Sequence, residues 1–342
     1  MERLTKRIDG PKGIVGGIRR LLLPHSETMP LLDEWSILLE LLPYQNEAGS
    51  IGFTAMNATQ PTQPAPKNTT ATAPFLVIGG SGKTGRRVVE RLENLGHDVR
   101  SASRSSSVSF DWHDDSNWNE VLEGVKALYV TYHPDLSVPG ASDHIRALLA
   151  VAKAQRVEKI VLLSGRGEEE AQLCERLVLN SSIPATVVRC GWFNQNFSES
   201  FFRDLLMSGT LAVPNAHVGE GYIDADDIAD VVTAALIEDG HEGQIYQLTG
   251  PELLTFRDIA KIFAEVTGRE VKVIDVSREA FVEGLEAAQL PEGMVQLVDY
   301  LFNEVLDGRN SSLGDGVQRA LGRPPRDFRS FLQKAHLSGA FA

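Results

Sequence analysis

Short apolar runs alternate with amphipathic segments from Pro74 to Met207. Each run has the length of a buried strand, and the segments between runs repeat apolar residues at the spacing of one helix face. The strands predicted from these runs are 74–80, 126–132, 158–165 and 185–193, and the more polar segment 97–107 is the predicted second strand. The predicted helices are 83–96, 141–155, 168–180 and 197–207. Repeated strand–helix units of this length predict an α/β fold, a doubly wound parallel sheet with right-handed crossovers.

The first 74 residues do not share this alternation. Residues 1–23 are basic, and residues 31–42 have the apolar spacing of one short amphipathic helix. Residues 54–74 are rich in Thr, Pro, Ala and Asn, which predicts a disordered linker. Because the fold signals follow this linker, we hypothesise that Met56 is the natural start or that residues 1–55 are dispensable. The intact mass of the native protein tests this hypothesis.

Composition narrows the class of function. The chain has 342 residues and a net charge of −13, so it lacks the excess Lys and Arg of a nucleic-acid binder. Its two cysteines, Cys174 and Cys190, fit a reducing, cytoplasmic compartment. The sequence has no H-E-x-x-H motif or close Cys/His cluster for a metal, and no apolar stretch of the ~20 residues that span a membrane. We expect a small-molecule substrate, and the oligomeric state stays open.

The segment after the first predicted strand contains two nucleotide-binding signatures. Gly82, Lys83 and Thr84 resemble the end of the P-loop pattern G-x-x-x-x-G-K-[ST], whose first glycine would fall at Val77. That glycine matters because the loop wraps phosphates with backbone conformations that glycine allows. The valine therefore argues against a P-loop.

The dinucleotide pattern has no such gap. Glycines recur at positions 79, 82 and 85, between a buried strand and an amphipathic helix that ends at Gly96. This is the context of the Rossmann fingerprint, in which glycines let the backbone approach a pyrophosphate at the positive end of the helix. The sequence therefore predicts a dinucleotide at this turn.

The end of the second strand favours NADP(H) over NAD(H). A site for NAD places Asp or Glu there to bind the ribose hydroxyls. This chain has Ser103, Arg104 and Ser105 instead, and Asp98 lies at the opposite end of the strand. Arg104 can pair with a 2′-phosphate, to which both serines can donate hydrogen bonds. A solvated surface role is the alternative for Arg104.

Ligands of such sheets bind beyond the carboxyl ends of the strands. The residues at those ends are Asp111, Trp112, Thr131, Tyr132, His133, Ser164, Gly165, Arg166 and the run 190–194. The predicted cofactor contacts among them are Asp111 and Thr131, and the predicted substrate pocket is Tyr132, Trp192, Phe193 and Asn194. Trp192 and Phe193, the two aromatic residues at the end of the 185–193 strand, could equally belong to the core.

Six segments carry a resemblance to a known family. They are GGSGKTGRRV, LYVTYHPD, VVRCGWFNQNFSE, GYIDADDIADVVTAAL, YQLTGPELLTFRDIAKIFAEVTGREV and ALGRPPRDFRSF, and they span about Phe75 to Phe331. Together they resemble the NmrA-like branch of the atypical short-chain dehydrogenases. Within that branch the chain looks most similar to oxidoreductases of secondary metabolism, including the fungal reductases of ergot alkaloid biosynthesis. Quinone-reductase-like members and NADP-sensing transcriptional regulators share the same fold.

The resemblance implies a cofactor, its contacts and a division into domains. The implied NADP(H) contacts are Gly79, Ser81, Gly82, Lys83, Thr84 and Gly85, with Arg104 on the 2′-phosphate. A small α+β C-terminal lobe is expected to cover the nicotinamide. We therefore expect an extension and linker at 1–74, an NADP-binding Rossmann domain at 75–210 and the lobe at 211–342, with 222–248 returning to the Rossmann core.

Three aspartates in the segment YIDADDIA resemble a catalytic or metal-binding cluster. We instead expect Asp224, Asp226 and Asp227 to cap and charge the first turn of a helix at 225–237. Thr255 and Asp258 likewise predict a helix start.

The sequence lacks one element of ordinary alcohol and ketone chemistry. Classical short-chain dehydrogenases use a Tyr-x-x-x-Lys pair to hand over a proton, and none of the six tyrosines here is followed by lysine four positions later. Hydride delivery to a neutral carbonyl needs such a donor, whereas an iminium, enone or quinone does not need that pair. The absence predicts a preactivated electrophile or no catalysis. Tyr132, Ser164 or Arg166 is a candidate for one hydrogen bond, although Arg166 could equally be a surface residue in a mobile loop.

Two functions compete on this sequence. The first is an NADPH-dependent reductase of a small, largely apolar biosynthetic intermediate, which the aromatic pocket favours. The second is a non-catalytic sensor that binds NADP(H) and then a protein partner, which the missing Tyr/Lys pair favours.

Overall fold

A seven-stranded parallel sheet forms the centre of the molecule. The computed structural model describes residues 73–342, so the predicted basic segment, the 31–42 helix, most of the linker and Met56 lie outside the described residues. The strands are β1 (Phe75–Ile78), β2 (Val99–Ser103), β3 (Val108–Ser109), β4 (Ala127–Val130), β5 (Lys159–Gly165), β6 (Ala185–Cys190), β7 (Thr210–Val213), β8 (Ile245–Leu248) and β9 (Lys272–Asp275). The sheet order is β3-β2-β1-β4-β5-β6-β8, with every pair parallel. The predicted doubly wound parallel sheet is confirmed.

Helices cover both faces of this sheet. They are α1 (Lys83–Asn94), α2 (Trp118–Leu122), α3 (Ala141–Ala154), α4 (Glu169–Leu179) and, later in the chain, α6 (Ala225–Ile237). Successive β1 side chains point to opposite faces, so Leu76 and Ile78 join one buried cluster while Phe75 and Val77 join another. Burial on both faces explains why central strands such as β1 and β4 are continuous apolar runs in the sequence.

A smaller lobe stands beside the sheet. It contains the parallel pair β7–β9 and the helices α5 (Phe201–Met207), α7 (Phe256–Thr267), α8 (Arg278–Ala287), α9 (Glu292–Tyr300) and α11 (Phe328–Leu337). A single turn of π-helix, Leu301–Val305, follows α9, and α10 (Gly316–Leu321) packs near β8. The lobe has its own apolar cluster, rich in phenylalanine, which includes Phe197, Phe202 and Phe302.

Two predicted elements differ from the observed ones. The predicted 197–207 helix is a 3₁₀ turn, Asn194–Phe197, followed by the shorter α5. The predicted 97–107 strand stops at Ser103, because the Ser106 hydroxyl accepts a 2.7 Å hydrogen bond from the Ser103 amide and donates a 2.8 Å bond to the Val108 carbonyl. That serine folds the chain into a turn, as short hydroxyl side chains often do.

The acidic segment before α6 has the predicted capping role. Asp224 is the N-cap residue, and its side chain accepts a 2.8 Å hydrogen bond from the Asp226 amide. Asp226 pairs with Arg87 and Arg91 of α1, which fixes α6 against α1. Thr255 caps α7 at the predicted helix start, where it forms a capping box with Asp258.

Residues 73–342 contain neither a candidate membrane span nor a candidate metal site. No helix in that range has both the length and the apolar character that a membrane span requires. No group of three or more His, Cys, Asp or Glu side chains there is arranged to hold a metal ion.

Candidate cofactor cleft and substrate pocket

The glycine turn follows β1 at the point where the strand order reverses. The neighbours of β1 are β2 on one side and β4 on the other, so the crossovers leave a crevice at the carboxyl end of β1. Gly79 has a φ of +74°, and Gly82 is the N-cap residue of α1. The first turn of α1 contains no acidic residue, and no side chain caps it. Its amides and its dipole therefore suit an anion.

Close packing requires two of these glycines. A Cβ atom on Gly79 would lie 1.9 Å from Oγ1 of Thr131, and one on Gly85 would lie 2.0 Å from the Gly79 carbonyl oxygen. These approaches bring α1 directly against the turn, which is how the fingerprint places a helix N-terminus on a pyrophosphate. The turn therefore fits the diphosphate of a dinucleotide.

The side chains of Lys83 and Thr84 lie inside the protein. Lys83 is 1% exposed, and the Thr84 hydroxyl accepts a 3.0 Å hydrogen bond from the hydroxyl of Tyr129. Contacts from these two residues to a bound phosphate would come from their backbone amides. Ser81, in contrast, is exposed at the turn.

Polar groups at the ends of β2 and β4 meet across the crevice. Arg104 is exposed, and its Nη2 lies 3.3 Å from Nε2 of His133, which follows β4. The Ser103 hydroxyl is buried and has no hydrogen-bond partner among residues 73–342. A buried polar group of this kind is normally satisfied, so a ligand atom there would complete it. The side chains of Ser103 and Arg104 fit the adenosine end of NADP(H).

Two further predicted cofactor contacts have partners within the protein. Thr131 is buried, and its hydroxyl donates a 3.0 Å hydrogen bond to the carbonyl of Ile78. The Asp111 carboxylate accepts a 3.0 Å hydrogen bond from the amide of His113. Thr131 thus forms the wall of the crevice beneath Gly79, while the carboxylate of Asp111 stabilises its own turn.

A largely apolar cavity opens at the carboxyl ends of β5 and β6. Of the predicted pocket residues, Tyr132, Trp192 and Phe193 line it. Leu301 and Val305 of the π turn supply its roof. Asn194 is fully buried outside the lining, and its side-chain amide has no hydrogen-bond partner in the described chain.

Two of the three predicted hydrogen-bond donors to substrate already have partners within the protein. The Tyr132 hydroxyl lies 2.6 Å from Nδ1 of His144, and burial raises the pKa of Tyr132 to about 12. The Ser164 hydroxyl donates a 2.6 Å hydrogen bond to the buried Glu175 carboxylate, which also pairs with Arg189. Because its proton is held by Glu175, Ser164 can accept a hydrogen bond more readily than donate one.

Arg166 is not a surface residue. It is 4% exposed and donates hydrogen bonds to the carbonyls of Asn310 and Ser312, at 3.3 and 3.1 Å. The Asn310 amide donates in return to the Arg166 carbonyl at 3.1 Å. These bonds join the end of β5 to the loop before α10, so Arg166 helps to hold the lobe over the pocket.

Sequence reasoning did not single out the carboxyl groups in the pocket wall. Asp135 follows β4, Glu168 follows β5, and their side chains hydrogen bond to each other. Burial and the neighbouring acids, Asp135 first, raise the pKa of Glu168 well above its ordinary value. The signal available in the sequence was an acid just beyond each of two strands that the fold makes neighbours.

Comparison with known proteins agrees with this architecture. The sequence model of the NmrA-like family matches residues 170–315. The uncharacterised oxidoreductase YesF of Bacillus subtilis is 30% identical over 269 residues, which cover 75% of this chain and 93% of YesF. The chain belongs to the NmrA-like family. The predicted resemblance is thereby confirmed.

Other relatives of this NmrA-like protein extend the comparison. Agroclavine dehydrogenase of Claviceps fusiformis is 27% identical over 276 residues, which cover 75% of this chain and 96% of that enzyme. Among solved structures, an NADPH-dependent quinone oxidoreductase from Escherichia coli, complexed with NADPH, has a TM-score of 0.64 at 19% identity. The match covers 77% of this chain and 99% of that one, and it shows the shared fold.

Proposed function

We propose that this protein is an NADPH-dependent oxidoreductase that reduces a small, preactivated electrophile such as an iminium, an enone or a quinone. The observation that carries the proposal is the position of two features at one edge of the sheet. A glycine turn shaped for a diphosphate follows β1, and an apolar cavity opens beyond β5 and β6. Bound NADPH supplies the hydride. The named relatives, a clavine dehydrogenase and an oxidoreductase, support this class of reaction.

The protein's own residues hold and orient the cofactor in this proposal. The backbone of the turn from Gly79 to Gly85 binds the diphosphate, with Ser81 exposed beside it. Arg104 pairs with the 2′-phosphate, and the Ser103 hydroxyl receives the partner it lacks. NADP(H) is therefore the cofactor that these residues favour.

Positioning and exclusion of water are the main catalytic contributions we assign to the pocket. Trp192 and Phe193 offer apolar surface to a flat, conjugated acceptor, and Leu301 and Val305 cover it. Holding two reactants in one dry cavity removes much of the entropic cost of their encounter. A small intermediate of secondary metabolism is the substrate class that we propose.

A regulator that only senses NADP(H) is the second candidate. The Tyr-x-x-x-Lys pair is missing, and the Ser164 proton is committed to Glu175. The loss of NADPH absorbance, followed across a panel of quinones, enones and iminium ions, separates the two functions. Firm NADPH binding without turnover of any acceptor would favour the regulator.

Replacement of Arg104 by glutamate tests the cofactor assignment. Arg104→Glu puts a negative charge where we place the 2′-phosphate, so we expect NADPH to bind on the order of 100-fold more weakly while NADH binding changes little. Nucleotide fluorescence titrations measure both affinities. Arg257→Glu, a charge reversal at an exposed residue of α7, is the control. Equal losses for both nucleotides would contradict the proposed role of Arg104.

A further inference from the structure

Glu168 is placed unusually for a glutamate at the start of a helix. It is the N-cap residue of α4, yet its side chain does not cap the helix. Its carboxyl group instead lies over Gly165 at the end of β5, where an added Cβ would be 2.1 Å from Oε2. Glu168 is 6% exposed and lines the apolar pocket, and Oε2 has no hydrogen-bond partner in the described chain. A buried polar atom is normally satisfied by a hydrogen bond, so a ligand in the pocket would complete this carboxyl oxygen.

Asp135 connects this carboxyl group to the outside. It lines the same pocket but is only partly buried, and it hydrogen bonds to Glu168. Two carboxyl groups in contact must hold a proton between them, because two adjacent negative charges repel. Burial raises the pKa of Asp135, and the 2.8 Å hydrogen bond that the Ser137 amide donates to its carboxylate opposes this rise. The pKa of Glu168 is raised well above its ordinary value by burial and by Asp135. The proton of the pair therefore belongs on Glu168.

The other charged groups near Glu168 come from several elements. Glu175 of α4 is paired with Arg189, Tyr300 ends α9, and Arg309 donates a 3.2 Å hydrogen bond to the carbonyl of Gly167 while pairing with its own neighbour, Asp307. The dipole of α4 favours a carboxylate at its N-terminus. Burial and the charge of Asp135 outweigh it, so the pKa of Glu168 is raised.

We propose that Glu168 is the proton donor of this site and is recharged from solvent through Asp135, so that the pocket can reduce neutral acceptors such as quinones. The inference rests on the proposed hydride transfer and adds the residue that completes it. When a quinone accepts a hydride, one oxygen gains an electron pair. The O–H bond of Glu168 then breaks, a new O–H bond forms on that oxygen, and Glu168 is left as a carboxylate. A water proton returns to it by way of Asp135.

The donor role separates two kinds of acceptor. A cationic iminium becomes a neutral amine on accepting a hydride and needs no proton, whereas menadione, a quinone, does. We therefore expect Glu168→Gln to lower kcat for menadione about 100-fold, the usual contribution of a general acid, and to leave kcat for a small cyclic iminium nearly unchanged. Glu169→Gln, the same substitution at the exposed neighbouring residue, is the matched control and should match the wild-type protein on both acceptors.

The pH profile gives a second readout. For menadione, kcat should fall as the pH rises through the raised pKa of Glu168, because only the protonated carboxyl donates. Glu168→Gln should lose this pH dependence. Asp135→Asn should move it to lower pH, because removal of the adjacent charge makes Glu168 easier to ionise. This second variant carries the test if Glu168→Gln does not fold.

An infrared measurement tests the protonation without cofactor or substrate. The cofactor-free protein at neutral pH should show carbonyl stretches of buried, protonated carboxyl groups, among them Glu220, whose pKa burial raises to about 7. The band that belongs to Glu168 is the one that Glu168→Gln should remove from the spectrum and Glu169→Gln should keep. An unchanged band in Glu168→Gln would overturn the inference, as would equal menadione rates in the two glutamine variants. If no acceptor oxidises NADPH, the proposed function fails, and the infrared band still decides whether Glu168 holds the proton.

Discussion

At the scale of single residues, the glycine turn is set by what surrounds it. Thr131 bonds to the carbonyl of Ile78 and leaves no room for a side chain on Gly79, while the Gly79 carbonyl leaves none on Gly85. The turn is therefore rigid before any ligand arrives. Rigidity of this kind lets backbone amides bind a phosphate without first paying an ordering entropy.

Substitution of Gly85 tests that packing. Gly85→Ala places a methyl group against the backbone of Gly79, so we expect the free energy of unfolding to fall by about 3 kcal/mol. We also expect NADPH to bind more weakly, because the methyl group displaces the turn. Urea denaturation and nucleotide titration measure the two effects. Gly293→Ala is the control, because a Cβ there meets nothing within 4 Å. An unperturbed Gly85→Ala protein would show that α1 is not held this closely.

The sequence pattern led to the crevice beyond β1 more directly than to the buried acid. Glycine spacing and the position of Arg104 are local patterns, and they lead directly to the crevice. Glu168 stands in the run Glu168, Glu169 and Glu170, and such runs usually face water. Only the tertiary structure shows that the first of the three folds back over Gly165 and meets Asp135 from another strand.

At the scale of elements, α1 and α6 are joined by charge as well as by apolar contact. Arg87 and Arg91 of α1 face Asp226 and Asp230 of α6, and Lys334 of α11 reaches Asp226. The capping role of the acids was predictable from their position before a helix. Their arginine partners were not, because those lie far away in the sequence.

Acid should weaken this junction in a defined pH range. Burial opposes ionisation of Asp226, but the hydrogen bond from Lys334 and the charge of Arg87 lower its pKa to about 2. A carboxylate with a lowered folded-state pKa stabilises the fold above about pH 4, and this stability is lost as the pH falls towards 2. Urea denaturation along this range should show a steeper loss for the wild-type protein than for Asp226→Asn.

The control for this pH effect is Asp239→Asn, which removes an exposed carboxylate beyond the end of α6. It should follow the wild-type protein at every pH. If Asp226→Asn also does so, the ion pairs around Asp226 do not contribute to stability.

At the scale of the whole molecule, the sheet was predictable and the lobe was less so. The central strands β1 and β4 are buried on both faces and therefore appear as apolar runs, whereas the outer strands β2 and β3 are more polar and partly exposed. The strands β7 and β9 are short, partly exposed and separated by α6, β8 and α7, so no local pattern pairs them. The lobe was expected from family resemblance rather than from periodicity.

The bonds between Arg166 and the loop before α10 should control closure of the lobe. Asn310→Ala removes the hydrogen bond to the Arg166 carbonyl, so we expect a KM for the acceptor raised roughly tenfold, the equivalent of one lost hydrogen bond of about 1.4 kcal/mol. NADPH affinity should be unchanged, because the glycine turn follows β1 whereas the loop contacts the end of β5, and β4 lies between these two strands. Steady-state kinetics measure KM, and Asn180→Ala at the exposed end of α4 is the control. A parallel loss of NADPH binding would indicate general destabilisation instead.

The π turn at Leu301–Val305 has a consequence for how this scaffold diversifies. A π turn contains roughly one more residue than an α-helical turn. Gain or loss of a single residue there would swing the side chains that follow by about 100° around the helix axis. Such a small genetic change would alter the side chains that cover the substrate pocket. The glycine turn that we propose for the cofactor lies much earlier in the chain and would keep its structure. Descendants of one ancestral reductase could thus acquire different substrates while their cofactor site stays unchanged.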